Sequence, residues 1–143
     1  MESRAETTWH GDLASGSGTT ALASGAAPPL SVTWRARTEE SGGLTSPEEL
    51  IAAAHASCYS MAFSHGLAEA GTPPNSIKTS ATVTFGQTDG GWTVTKSALV
   101  VSADVSGISE EDFQAAALHA KDGCPISRAL QGNVDITLDA SLV

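Results

Sequence analysis

Two cysteines are the residues of this sequence with the clearest potential for chemistry. Cys58 lies within SPEELIAAAHASCYSMA, residues 46–62, and Cys124 lies within KDGCPISRAL, residues 121–130. A thiolate can attack an electrophile, bind a metal or form a disulfide. Cys124 directly precedes a predicted helix whose first residue is proline, and backbone N–H groups at such a position favour a thiolate. The alternative for each cysteine is an inert role, as a small apolar core residue or as a tolerated cap.

A reactive Cys58 needs help from a positive charge, because burial in an apolar helix raises the pKa of a thiol. No lysine or arginine lies within one helical turn of Cys58, so the cation must come from elsewhere in the fold. Arg35 and Arg37 are the candidates. They end the segment SVTWRAR, which alternates as a strand does, and a strand would place both arginines on one face. The alternative is that both are solvated charges on a strand edge.

Histidines near both cysteines allow two other kinds of site. His55 precedes Cys58 on the same predicted helix, and His119 precedes Cys124. Two cysteines and two histidines could form a Cys2His2 metal-binding module, although their spacing is loose for a zinc site. A Cys–His pair could instead act as a hydrolase, unless His55 is a hydrogen-bonded core residue.

The element that carries Cys58 is the best marked of the chain. Ser46 is a favourable N-cap, Pro47 suits the first helical position, and Glu49 stands three residues after the cap. Gly71 and the two prolines that follow end the helix. Its middle is apolar on nearly every face, which predicts that it is covered all round.

The remaining pattern predicts an α+β domain. Residues 1–37 indicate strands, residues 78–104 a hairpin that turns at TDGG, and residues 110–121 a helix capped by Ser109. A short helix over 125–131 and an alternating strand over 134–143 follow. The order of strands, long helix, hairpin, two helices and strand is an α+β layout, and the length predicts a single domain over 1–143.

Composition excludes several classes of protein. The net charge is −9, and the seven lysines and arginines are scattered, so nucleic acid and anionic membranes are not expected partners. The first residues are charged and lack the apolar run of a signal peptide. We therefore expect a cytoplasmic protein, in which permanent structural disulfides are uncommon.

The two cysteine motifs resemble those of the osmotically inducible protein C (OsmC) and organic hydroperoxide resistance (Ohr) family. WHGDLASGSGT near the start, RTEE before the helix and VTKSALVV in the hairpin also resemble it, so the similarity covers nearly the whole chain in order. The sequence has no arginine between Arg4 and Arg35, which favours the OsmC-like branch. The resemblance implies an OsmC-like fold, with antiparallel strands packed around a long central helix.

The resemblance also implies an activity and a set of site residues. The family is one of thiol peroxidases acting on organic hydroperoxides, in which the first cysteine, here Cys58, attacks and the second, here Cys124, resolves the product to a disulfide. An arginine, by its context Arg37 and by an alternative alignment Arg35, holds the attacking thiolate. Glu48 orients that arginine. A dithiol of the lipoyl type is the implied reductant, and no cofactor or metal is expected.

The long helix further predicts an intertwined homodimer. A domain of this size has difficulty covering such a helix alone. Glu48 and Cys58 are separated by about 15 Å along the helix axis, at 1.5 Å per residue. If two such helices pack antiparallel, Glu48 of one subunit can approach Cys58 of the other and hold the arginine there. The family resemblance implies the same assembly.

Overall fold

The computed structural model describes residues 1–143, which form two compact units. The first comprises Met1–Leu50 and the second Ile51–Val143. The boundary between them falls inside the long helix, and the prediction of a single domain over 1–143 stays a prediction. None of the helices combines the length and apolar character that crossing a membrane requires.

The first unit contains a small antiparallel sheet. Its strands are β1 (Ala5–His10), β2 (Ser17–Leu22) and β3 (Leu30–Val32), in the order β1-β2-β3. A short helix, α1 (Trp34–Thr38), follows. Every residue of β1 is exposed, so this strand contributes little to a core.

The strand predicted over SVTWRAR is wrong beyond Val32. Thr33 caps α1, because its hydroxyl accepts a hydrogen bond from the Ala36 N–H at 3.1 Å. Arg35 and Glu39 then pair across one helical turn, with Nε and Oε2 2.9 Å apart. Consecutive helical residues are turned by about 100°, so Arg35 and Arg37 project to opposite sides rather than to one face.

The second unit holds the core. The long helix α2 (Pro47–Glu69) enters it and is followed by the hairpin strands β4 (Ser76–Thr88) and β5 (Gly91–Asp104). Next come α3 (Glu110–Gly123), α4 (Pro125–Leu130) and β6 (Asp135–Leu142). The hairpin turns at Asp89 and Gly90, as predicted, and the positive φ of Gly91 suits glycine at its exit.

One strand departs from the predicted antiparallel arrangement. β4 and β5 are antiparallel, but β6 pairs parallel with β5, from Lys96 opposite Asp135 to Ala103 opposite Leu142. The physical reason is the crossover formed by α3 and α4, which carries the chain back before β6 begins. The predicted inward positions of β6 are confirmed in outline, since Asp135 and Asp139 are exposed while Ile136 and Leu138 are half-buried.

The predicted boundaries of α2 are confirmed, and one of its faces is buried by the core. Ser46 accepts a hydrogen bond from the Glu49 N–H at 3.1 Å, and Gly71 ends the last turn with a φ of 83°. His55, Tyr59, Phe63 and Leu67 recur every fourth residue and are fully buried. The opposite face is exposed and consists mainly of small residues: Ala53, Ala54, Ser57, Met61, His65 and Ala68.

Candidate functional site

The two cysteines are brought together in the second unit. Cys58 lies in the middle of α2, and Cys124 lies between α3 and α4. Both are free thiols, and Cys58 packs against the buried core cluster that contains Cys124, close enough for the Cys124 thiol to influence that of Cys58. Two cysteines that are distant in sequence therefore lie near each other in the fold, as a pair that forms a disulfide must.

Cys124 is held by backbone hydrogen bonds on both sides and is completely buried. Its N–H donates to the Ala120 carbonyl at 2.9 Å, and its own carbonyl accepts from the Arg128 N–H at 3.0 Å. It is thus the C-cap of α3 and the N-cap of α4, with Pro125 at the first helical position, as the sequence predicts.

The surroundings of Cys58 within the chain raise its pKa. Burial is the main cause, and the neighbouring Cys124 thiol adds to it. The Ile126 N–H, in the first turn of α4, donates to the Cys58 sulfur and lowers the pKa in part. A nucleophilic Cys58 at neutral pH therefore requires a positive charge in addition to these groups.

His55 occupies a buried polar position one helical turn before Cys58. It is fully buried, and each ring nitrogen has a serine partner. Nδ1 lies 2.7 Å from Ser97 Oγ on β5, and Nε2 lies 2.9 Å from Ser127 Oγ on α4. Burial lowers the pKa of His55, so the ring is neutral at physiological pH, with one nitrogen donating and the other accepting.

These contacts contradict both alternatives that involve histidine. A Cys2His2 site would need His55, Cys58, His119 and Cys124 to converge, but no three metal-ligating side chains of the chain do so. The nitrogens of His55 are engaged by serines, and His119 is exposed on α3. The same contacts remove the Cys–His hydrolase pair, because the partners of His55 are not cysteines.

Arg37 and Glu48 form the strongest ion pair of the first unit. Arg37 Nη2 lies 2.7 Å from Glu48 Oε1, and Arg37 Nε donates to both carboxylate oxygens at 2.9 and 3.1 Å. The Glu48 side chain is only 7% exposed, and that of Arg37 is 29% exposed. The Arg37 guanidinium also stacks over the Trp34 ring, 5.8 Å from its centroid. Its geometry is therefore fixed on two sides.

The two candidate arginines differ in their partners. Arg35 pairs only with Glu39, on a surface where the two side chains are 78% and 62% exposed. Arg37 instead pairs with the buried carboxylate of Glu48, the residue that the family resemblance implies orients an arginine. The two residues pair within one chain, where α1 brings Arg37 back over the start of α2. The expectation that Glu48 and Cys58 of one site come from different subunits stays a prediction.

An apolar cavity adjoins Arg37 within the first unit. Its volume is about 320 Å³, within the size range of small-molecule sites. Arg37 is its only charged lining residue, and the rest of the wall is apolar or hydroxylic: Thr7, Trp9, Leu13, Thr20, Val32, Thr33, Trp34, Pro47 and Leu50. A small apolar molecule with one polar group suits such a cavity.

Comparison with models of protein families shows to which family the chain belongs. The family model described as OsmC-like protein matches residues 40–139. The chain belongs to the OsmC-like protein family. That range contains Glu48, Cys58 and Cys124, whereas Arg37 lies just before it.

Curated relatives of this OsmC-like chain agree with the family. It is 43% identical to the peroxiredoxin OsmC of Escherichia coli, over 94% of this chain and 92% of that protein. It is 32% identical to the organic hydroperoxide resistance protein-like 1 of Staphylococcus epidermidis, over 71% and 73% of the two chains. The higher identity to the first agrees with the OsmC-like branch.

A solved structure confirms the α+β OsmC-like fold. The organic hydroperoxide resistance protein OsmC of Legionella pneumophila superimposes with a TM-score of 0.76 at 25% identity, covering 99% of this chain and 97% of that chain. The fold expected from the cysteine motifs is therefore confirmed, except that β6 pairs parallel with β5.

Sequence reasoning missed Ser97, Ser127 and Trp34 as neighbours of the candidate residues. A histidine in an apolar helix signals that polar partners must exist, because buried polar groups are hydrogen-bonded. That signal cannot name the partners, which lie on β5 and α4, far from His55 in the chain.

The buried, neutral His55 makes stability depend on pH. The pKa of His55 lies below 6.5 in the folded chain, so the unfolded chain binds the proton more readily. The contribution of His55 to the free energy of unfolding is constant above about pH 6.5 and falls as the pH is lowered below it. Urea unfolding of the parent and of His55→Gln, which cannot titrate, should show the difference between them shrinking in acid.

The exposed His119 supplies the matched control. His119→Gln should keep the pH profile of the parent, because the His119 side chain lies exposed on α3, outside the core. A His55→Gln profile that runs parallel to the parent from pH 7.5 to pH 5 would contradict the buried neutral ring.

Proposed function

We propose that this protein is a two-cysteine thiol peroxidase that reduces organic hydroperoxides. The observation that carries the proposal is the proximity of Cys58 and Cys124 in the buried cluster of a chain of the OsmC-like family. Relatives named peroxiredoxin and organic hydroperoxide resistance protein support the reaction and the class of substrate. The apolar cavity beside Arg37 suits the organic part of such a substrate.

The reaction proceeds in three balanced steps. The Cys58 thiolate attacks the terminal, hydrogen-bearing oxygen of the hydroperoxide, the O–O bond breaks, and the other oxygen leaves as an alkoxide that takes a proton from the solvent and becomes an alcohol. Cys58 is then a sulfenic acid. The Cys124 thiol attacks the Cys58 sulfur, the sulfenic oxygen leaves as water, and a disulfide forms. An external dithiol of the lipoyl type reduces that disulfide and is itself oxidised.

The difference in burial between the two cysteines supports Cys58 as the point at which the reductant attacks. Cys124 is completely buried, whereas Cys58 is partly exposed. Thiol–disulfide exchange requires access of the attacking thiolate to one sulfur of the bond. The external thiolate therefore attacks Cys58 and forms the mixed disulfide there, while Cys124 leaves as a thiolate.

Arg37 supplies the positive charge that Cys58 lacks, and Glu48 fixes the guanidinium. The raised pKa of the thiol within its own unit is the reason that such a charge is required. A guanidinium held by a carboxylate and stacked on Trp34 loses little entropy when a thiolate or a peroxide binds to it. The ion pair and the aromatic contact in the first unit support this role.

The working form is a homodimer. The exposed face of α2 bears alanines, Ser57 and a Met61 that is 67% exposed, which would let a second helix approach closely. β1 also exposes all of its residues and has one unpaired edge. Glu48 binds Arg37 of its own chain, so one subunit contributes the ion pair of Arg37 and Glu48 together to Cys58 of the other subunit.

Two free thiols also suit a cytoplasmic location.

Intact mass tests the cysteine chemistry directly. One equivalent of cumene hydroperoxide should lower the mass of the parent by two hydrogens, through a disulfide between Cys58 and Cys124. Cys58→Ser should abolish peroxide consumption, because the attacking sulfur is lost. Cys124→Ser should retain the first reduction and stop at the sulfenic acid. Turnover by Cys58→Ser at the parental rate with a dithiol would refute the proposal.

Arg37 and Arg35 form a matched pair for the electrostatic test. Arg37→Ala should raise the pKa of Cys58 by about one to three units, the usual effect of removing an opposite charge. Activity at neutral pH should then fall by at least about tenfold, following the thiolate fraction. Arg35→Ala should match the parent, and Glu48→Gln should fall between the two. The measurement is thiolate absorbance against pH. An unchanged Cys58 titration in Arg37→Ala would show that another residue supplies the positive charge to Cys58.

Subunit mixing tests whether the site is shared. Inactive Cys58→Ser and inactive Arg37→Ala subunits, once exchanged, give mixed dimers in which one of two shared sites has both groups. Activity should return to at most about a quarter of the parental value, since half of the dimers are mixed. If no activity returns after native mass spectrometry has verified the exchange, Arg37 and Cys58 act within one subunit.

A further inference from the structure

His55 is a fully buried polar group of the second unit, and the proposed reaction does not use it. It is fully buried, as is Ser97, and Ser127 is 4% exposed. The three side chains form a continuous bridge from β5 through α2 to α4, with contacts of 2.7 and 2.9 Å. No other polar contact inside this core joins three elements.

The bridge reaches the segment that carries the second cysteine. Ser127 directly follows Ile126, whose N–H donates to the Cys58 sulfur, and Cys124 is the cap of the same short helix. On α2, His55 and Cys58 are one helical turn apart. The bond from His55 to Ser127 therefore ties α4 to α2 beside the point where the two thiols meet.

The other half of the bridge fixes the direction in which the ring points. Ser97 holds Nδ1, so that Nε2 is directed at Ser127. A neutral imidazole offers one donor and one acceptor, and the hydroxyl of each serine can take the complementary role. Breaking one bond would leave a buried polar group unpaired, which makes the arrangement specific as well as stable.

We propose that the bridge Ser97–His55–Ser127 positions Cys124 for attack on the sulfenic acid of Cys58, and so sets the balance between disulfide formation and over-oxidation. The inference rests on the proposed function. In the productive step Cys124 sulfur bonds to Cys58 sulfur and the sulfenic oxygen leaves as water. In the competing step a second hydroperoxide transfers an oxygen to the Cys58 sulfenate, giving the sulfinate and releasing an alcohol.

His55, Ser97 and Ser127 are positioning residues, because none of them touches the reacting sulfur in this scheme. Their removal should therefore leave the first attack on hydroperoxide unchanged and slow the second step. Losing one buried hydrogen bond corresponds to a change on the order of tenfold in the population of the aligned segment. The hydroperoxide concentration that over-oxidises half of Cys58 should fall by the same factor.

Two amide variants of His55 separate the halves of the bridge. The amide of His55→Gln extends as far as Nε2 and can still reach Ser127, whereas that of His55→Asn extends only as far as Nδ1 and can reach Ser97. We expect His55→Gln to resist over-oxidation nearly as the parent does. His55→Asn and Ser127→Ala should become sensitive to it.

The experiment treats each reduced protein with graded tert-butyl hydroperoxide, quenches with a thiol-blocking reagent, and quantifies disulfide and sulfinate at Cys58 by mass spectrometry. Single-turnover consumption of hydroperoxide is measured in parallel. Ser60→Ala is the matched control, because this variant also removes a part-buried hydrogen bond of α2. The bond lost is that from Ser60 to Thr79 on β4, which is not part of the bridge. It should behave as the parent.

Three results would overturn the inference. Parental resistance in both Ser127→Ala and His55→Asn would remove the role of the bridge, and equal sensitivity in Ser60→Ala would reduce the effect to general loosening of α2. Equal behaviour of His55→Gln and His55→Asn would show that contact with Ser127 is irrelevant, and this comparison decides the matter even if Ser127→Ala does not fold. Failure of the parent to form any disulfide would instead refute the proposed function.

Discussion

The packing of one stripe of α2 against α3 is the interaction on which the site depends. Tyr59 and Phe63 lie with their ring centroids 5.7 Å apart, and Phe63 meets Phe113 of α3 edge-on at 5.5 Å. The Tyr59 hydroxyl donates to the Ala117 carbonyl at 3.1 Å, which ties the two helices by a polar contact as well. Cys124 follows directly at the end of α3, so fixing α3 on α2 also fixes where the second thiol lies.

The same packing creates a conflict between position and reactivity. Bringing two thiols together under cover removes water from them, and that raises the pKa of the sulfur that must attack. The Ile126 N–H offsets part of this cost without adding a charge to the core. The guanidinium of Arg37 lies in the first unit, where it pairs with the buried carboxylate of Glu48. In the proposed reaction, the positive charge that Cys58 needs would therefore come from a cation built separately from the sulfur pair.

Local patterns predicted much of this fold, because the signals were contained within a few residues. Ser46 and Ser109 cap α2 and α3 as expected, and the hairpin turns where TDGG stands. Alternation misled the reading of Trp34–Thr38, since a single helical turn is too short to show a period and its cap, Thr33, is also a common strand residue. The parallel pairing of β6 depends on the path of α3 and α4, which no local pattern contains.

The candidate site, too, could be predicted only where its signals lie within a few residues of the sequence. The cysteine motifs and the position of Glu48 could be read from the sequence through the family resemblance, whereas the helical turn that sends Arg37 and Arg35 to opposite sides could not. The sequence could show that His55 needed partners and could not name Ser97 or Ser127. Those partners explain why a histidine is accommodated in an otherwise apolar stripe. A leucine there would fill the space as well, but it would join α2 to β5 and α4 only by nondirectional contacts. Two directional hydrogen bonds specify one orientation of α4, and the alignment of two sulfur atoms depends on that orientation more than on the stability of the core.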